Sequence, residues 1–227
     1  MPGQDRRDNI PERNDKKSGK LPKAPGLEIA DSSIIIIGPP SAGKGTHSKK
    51  LADLLNVPHI STGELLRTEA RSGSELGKKT KAIIDKGQLL ADTDIMAIVK
   101  ERLRQGDCTH GFILDGCPRT AAQAESLDAI IKELNLPPVY ILELQVPESQ
   151  LIKRMNKRKK NSTQRNDDTE DILKKRITIY EKNLTGILNH YKKTQATSTT
   201  VNGNGNIEEV GKDIIDKLTS DRAPGSQ

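Results

Sequence analysis

Four consecutive isoleucines, Ile34 to Ile37, stand out from a polar background and stop at Gly38-Pro39-Pro40. A run this short, wholly apolar and β-branched, predicts a strand buried on both faces rather than a helix. The period then changes: Leu51, Leu54 and Leu55 recur at helical spacing up to about Asn56. Val57-Pro58-His59-Ile60 predicts a second strand, after which Ser61 or Thr62 caps a helix that turns Leu65 and Leu66 inward and places Glu64 and Glu69 toward its positive end. Helical patterns follow over 74–86 and 93–104, with strands over 111–116, over 139–144 after Pro137-Pro138, and over 198–201. A helix entered through Pro147 carries a long basic run, and another over 207–218 closes the chain. Alternating strands and helices predict an α/β fold: a doubly wound parallel sheet of about five strands, helices on both faces, forming one domain over 27–218. Residues 1–26, rich in Pro, Gly, Asn and charge, hold too few large apolar groups to offset the entropy of ordering and are expected to be a disordered basic tail. Residues 219–227 are expected to fray.

Composition narrows the partners. The 227-residue chain is 33% hydrophobic and 30% charged with a formal charge of +6, which fits either nucleic acid or small phosphorylated ligands. One Phe, three Tyr and no Trp leave little with which to stack bases, so no nucleic acid partner is expected. The chain has neither an apolar stretch long enough to span a bilayer nor a secretory-type apolar core near its start, so no membrane partner and a cytoplasmic location are expected. Cys108 and Cys117 are too far apart for C-x-x-C and are read as reduced thiols, with no zinc site. A monomer is expected.

The chemistry begins where the isoleucines end. Gly38 to Lys44 fits G-x-x-x-x-G-K between a strand and a helix. Glycines let successive N–H groups point at one anion, the helix adds its positive end, and Lys44 adds a full mobile charge, so the loop suits the β- and γ-phosphates of a nucleoside triphosphate. Asp115, near the end of the 111–116 strand, stands where an acidic residue beside such a loop holds Mg²⁺, directly or through water.

Five motifs together resemble the nucleoside monophosphate kinases, and within them the short-lid adenylate kinases. Gly38, Pro40, Gly43, Lys44, Gly45 and Thr46 fit that family's G-x-P-G-x-G-K-G-T, with Ser41 at a usual glycine. Such a Ser is tolerable only with negative φ or with its strain absorbed. His59 to Arg67 resembles H-[IL]-S-T-G-[DE]-L-L-R, and Gly87 to Ala91 resembles G-Q-L-V-P with Ala91 for the proline. Asp115-Gly116-Cys117-Pro118-Arg119 resembles D-G-[FY]-P-R, with Cys117 at an aromatic position where a void is expected. Arg158, Arg165, Asp167-Asp168 and Arg176 resemble the short lid, in a loop lacking the family's glycines.

The resemblance implies MgATP + AMP ⇌ 2 ADP. On the ATP side it implies Ser41, Ala42, Gly43, Lys44, Gly45 and Thr46, with Arg154, Arg158 and the carbonyl of Gly205. On the AMP side it implies Thr62, Arg67, Gln88, Leu89 and Leu90, then Gly116, Cys117, Pro118 and Arg119, with Gln123 at the adenine edge and Arg165 and Arg176 reaching the phosphates. Lys44, Arg119, Arg158, Arg165 and Arg176 are the implied catalytic cations, with Asp115 on Mg²⁺. Two flaps are implied, a monophosphate-binding one over 61–90 and a lid over 158–168. Thr62 and Gln123 stand where UMP/CMP kinases typically have Ala and Asn, which favours AMP as acceptor. A UMP/CMP-type kinase, or a catalytically weak nucleotide sensor or scaffold, remains an alternative at this point.

Overall fold

The computed structural model describes residues 32–85, 90–160 and 169–220. The 1–26 tail, residues 27–31, Gln88, Leu89, the loop 161–168 with Arg165, and the last residues from 221 lie outside the described residues.

The elements run β1 (Ser33–Ile37), α1 (Lys44–Leu55), β2 (His59–Ser61), α2 (Thr62–Arg71), α3 (Glu75–Asp85), α4 (Asp92–Leu103), β3 (Ile113–Asp115), α5 (Ala121–Glu133), β4 (Val139–Gln145), α6 (Glu148–Lys160), α7 (Glu170–Lys193), β5 (Thr197–Asn202) and α8 (Ile207–Ser220). The five strands form one sheet in the order β2-β3-β1-β4-β5, and every pairing is parallel. The expected α/β architecture is therefore what the chain adopts.

The isoleucine run shows why. Ile35 and Ile37 enter one apolar cluster, with side chains of α2, α4 and α5; Ile34 and Ile36 enter the other, with Leu51 of α1, Leu151 and Met155 of α6 and Val210, Ile214 and Leu218 of α8. Period-two alternation puts neighbours on opposite faces, and both faces are roofed by helices, so the run from Ile34 to Ile37 is apolar throughout, and the one polar residue of the strand, Ser33, is buried with its hydroxyl donating to the Pro137 carbonyl at 3.2 Å. At 24 residues, α7 is about 36 Å long at 1.5 Å per residue. It gives Leu173 and Ile177 to one cluster and Ile187 and Tyr191 to the other.

Several boundaries differ from the sequence expectation. The third strand begins at Ile113 rather than 111, because Gly111 takes φ +115° and breaks the extended chain. The second shifts to His59–Ser61, although the Pro58 carbonyl still accepts from the N–H of Ile113 at 2.9 Å. No element was expected between Arg119 and Pro137, where α5 lies. α8 runs on to Ser220, so residues 219 and 220 are helical rather than frayed.

The strand order sets the site. After β1 the chain moves to one side of the sheet for β2 and β3, then to the other for β4 and β5. Ile36 of β1 and Ser61 of β2 are both in register with Asp115. The loops leaving the three carboxyl ends therefore open into one crevice, where ligands bind in open parallel sheets. Among the described residues no helix is long and apolar enough to cross a membrane.

Candidate nucleotide site

The loop between β1 and α1 carries the anion-directed features that its sequence suggested. α1 starts at Lys44 with no side-chain cap on its first N–H groups and no acidic residue in its first turn. Its positive end is thus not offset by a carboxylate of the helix's own first turn. Gly43 caps it at φ +97°, in the left-handed region. Ser41 also has positive φ, +65°, so of the two conditions under which a serine is tolerable here the second applies: a non-glycine residue holds the strained conformation, and the surrounding loop absorbs the strain. The Lys44 ammonium donates to the carbonyls of Gly38 and Pro39, each at 2.8 Å, curling back over its own loop.

A second cation braces the same loop. Arg154 on α6 donates to the carbonyl of Ala42 at 2.8 Å and to those of Gly203 and Gly205 at 2.6 and 3.3 Å. It joins the phosphate loop to the turn after β5.

Across the crevice, Asp115 ends β3 with its side chain mostly buried, and its Oδ2 would lie 3.4 Å from a Cβ placed on Gly45. Its main-chain carbonyl accepts from the hydroxyl of Thr62 at 3.0 Å. Gly116 follows at φ +89°, and a Cβ there would meet Thr62 Oγ1 at 2.5 Å, so both the angle and the space demand glycine. Arg119 folds its guanidinium back to this turn, donating from Nε to the Gly116 carbonyl at 2.7 Å.

These parts surround a cavity of about 1260 Å³. Of the residues singled out from sequence, Ser41 through Thr46, Thr62, Arg67, Leu90, Asp115, Gly116, Pro118, Arg119, Arg154, Arg158, Arg176 and Gly205 line it. Cys117 and Gln123 do not reach its wall. Gln123 is fully buried in the first turn of α5, its side chain engaged by protein groups on both sides. The void expected beside Cys117 is closed in on by Met96 Sδ and Gln123 Oε1, each 3.7 Å from its sulfur. Burial pushes that thiol up to about 12, as expected of an inert core thiol.

Sequence reasoning did not single out Lys49, Lys50, Lys157, His47, His59 or Tyr180, which also line the cavity. A lysine on a charged helix face reads equally well as solvated, so the sequence carried no signal for the first three. Against these cations the wall offers the carboxylates of Glu64, Asp115 and Glu208. Burial lowers the His47 pKa, reinforced by the nearby Lys50 and Arg154. His59 is lowered too, burial outweighing the upward pull of Asp115, whose Oδ2 lies 4.0 Å from Nε2. Both imidazoles are therefore neutral near pH 7. The Tyr180 phenol is raised by burial and by Glu143 and Glu181.

Among the described residues no group of three His, Cys, Asp or Glu side chains assembles around a common point. A single carboxylate beside a phosphate loop nevertheless suits Mg²⁺, which keeps much of its water and is commonly held by one or two carboxylates together with substrate phosphates.

A cation-lined crevice at the carboxyl ends of parallel strands, bordered by a Gly-rich loop that leads into a helix with no side-chain cap, defines the class: a phosphate-loop α/β nucleotide-binding protein. The comparisons with known proteins narrow it. A family model for adenylate kinase matches residues 36–196. An adenylate kinase of Archaeoglobus fulgidus is 38% identical over 217 residues, covering 83% of this chain and 100% of its own length. Those of Methanosarcina barkeri and a Cyanothece species are each 39% identical, over 80% and 83% of this chain and 96% and 97% of theirs. The chain belongs to the adenylate kinase family, and it is a phosphotransferase of that type.

Proposed function

We propose that the chain carries out its family's reaction, MgATP + AMP ⇌ 2 ADP, by holding both nucleotides between cations that converge on one cavity. The observation that supports this best is that Lys44, Arg119, Arg158 and Arg176, from four separate parts of the chain, line the same space. The two substrates are polyanions that repel each other. The phosphoryl group passes between them with charge spread over its oxygens, so positioning and charge neutralisation are most of what is asked of the protein.

The phosphate loop from Ser41 to Thr46 holds the ATP phosphates, with Arg158 beside them and Arg154 and Gly205 toward its base. Thr62, Arg67, Leu90, Gly116 and Pro118 form the AMP side, to which the family resemblance adds Gln88 and Leu89; Cys117 and Gln123, buried behind the cavity wall, take no part in contacting AMP. Arg119, Arg176 and Arg165 meet the phosphates between the two. Asp115 would hold Mg²⁺ through water next to Gly45, and the ion would supply further positive charge on the ATP phosphates. A pair of unit charges at 4 Å interacts by about 1 kcal/mol in water and about 4 kcal/mol in a site of effective dielectric near 20. Shutting out water therefore strengthens each cation's hold and removes a competing acceptor, a role assigned to the flaps over 61–90 and 158–168. The protein works as a cytoplasmic monomer.

A coupled assay of ADP production with ATP and, in turn, AMP, CMP, UMP and GMP tests this. AMP is expected to exceed each of the others by at least about tenfold in kcat/KM. Equal or better use of a pyrimidine monophosphate, or ATP binding with no ADP formed from AMP, would overturn it.

A further inference from the structure

Three hydrogen bonds converge on a carboxylate network that the reaction as described does not use. Asp92, the first residue of α4, accepts from the hydroxyl of Thr120 at 2.7 Å on Oδ2 and from the side-chain amide of Gln123 at 2.7 Å on Oδ1. Gln123 in turn accepts, through Oε1, the main-chain N–H of Arg119 at 2.7 Å. The chemistry of the partners leaves the amide a single orientation. A carboxylate only accepts and a backbone N–H only donates, so turning Gln123 over would set donor against donor at one end and acceptor against acceptor at the other. Thr120 meanwhile caps α5, its oxygen accepting the N–H of Gln123 at 3.1 Å. The start of α4, the start of α5 and the backbone of Arg119 are locked together through one carboxylate.

Its place in the chain gives this lock a consequence. Asp92 does not line the cavity, but Leu90, two residues before it, does, and so does Ile95, one turn after it begins. Arg119 lies at the other end of the relay and faces the same cavity.

We infer that Asp92 is a positioning residue for phosphoryl transfer: it sets the amide of Gln123, which sets the backbone of Arg119, and so fixes that arginine relative to the AMP-side chain at Leu90. The inference rests on Arg119 acting on the transferred phosphate, as proposed above. Catalytic geometry tolerates little error, and a misplacement of about 1 Å can cost on the order of 100-fold in rate.

The test compares wild type with Asp92→Ala and Asp92→Asn in two measurements: steady-state kinetics with ATP and AMP, and amide hydrogen exchange at Arg119. Asp92→Ala is expected to lower kcat by about 10- to 100-fold while KM for ATP stays within about twofold, and to speed exchange at Arg119 by about tenfold relative to the core amide of Ile35. Asp92→Asn keeps an acceptor for Gln123 and is expected to recover most of both losses. Should the alanine variant fail to fold, Asp92→Ser, whose oxygen falls short of Gln123, is read in its place by the same criteria. Unchanged kcat, or unchanged exchange at Arg119, overturns the inference. A wild-type protein that forms no ADP would instead overturn the functional reading, so the two failures are distinct.

Discussion

Ser41 occupies a backbone conformation that the phosphate loop requires and that its side chain resists. Its φ of +65° costs an L-residue about 1–2 kcal/mol relative to glycine. Glycine would give back about 0.4–1 kcal/mol through its freer unfolded chain. The first effect is the larger, so Ser41→Gly is expected to raise stability by up to about 1 kcal/mol, read from the urea midpoint at unchanged slope. A drop in the midpoint would show that the serine compensates for its strain by a contact of its own. The site was legible at this scale where its chemistry is local: Gly43, Lys44 and Asp115 announce themselves by spacing and neighbours. Gln123 was not, because nothing in the sequence says that Asp92, 31 positions away, turns its amide inward. Lys49, Lys50 and Lys157 were hidden for a related reason, since only the placement of α1 and α6 on the sheet decides which side of each helix faces the cavity.

Among the elements, the strands were the easier part. A sheet roofed on both faces forces apolar runs such as Ile34 to Ile37, and these are visible without any tertiary information. α5 escaped notice although its signals are present: Thr120 caps it, and Leu127, Ile130 and Ile131 bury at helical spacing. α7 bears most on function, because its first turns carry Arg176 to the cavity wall. Thr169 starts that helix by accepting the N–H of Ile172 at 3.3 Å, with Glu170 and Asp171 at the positive end. Thr169→Ala is expected to cost about 1 kcal/mol of stability in chemical unfolding. A change below about 0.3 kcal/mol would mean that water or a neighbouring group replaces the cap equally well.

Across the whole molecule, the sheet's switch point beside β1 gathers charge from distant parts of the chain into one cavity. That convergence was not readable from periodicity, since Arg158 and Arg176 belong to runs that would pass as solvated helix faces. The ordered motifs carried it, and the loops leaving β1, β2 and β3 open where those motifs require. Two polyanions can exchange a phosphoryl group here only if the cations act on charge that develops during the transfer, rather than merely improving binding. Arg119 is the sharpest probe of that distinction, since it bonds the turn at Gly116 and faces the shared space. The most direct measurement is the rate of ADP formation from saturating ATP and AMP by Arg119→Ala, with retained folding checked by thermal unfolding. A fall of about 100-fold or more in kcat is expected; a fall of less than about tenfold, or 1.4 kcal/mol of barrier, would contradict the account.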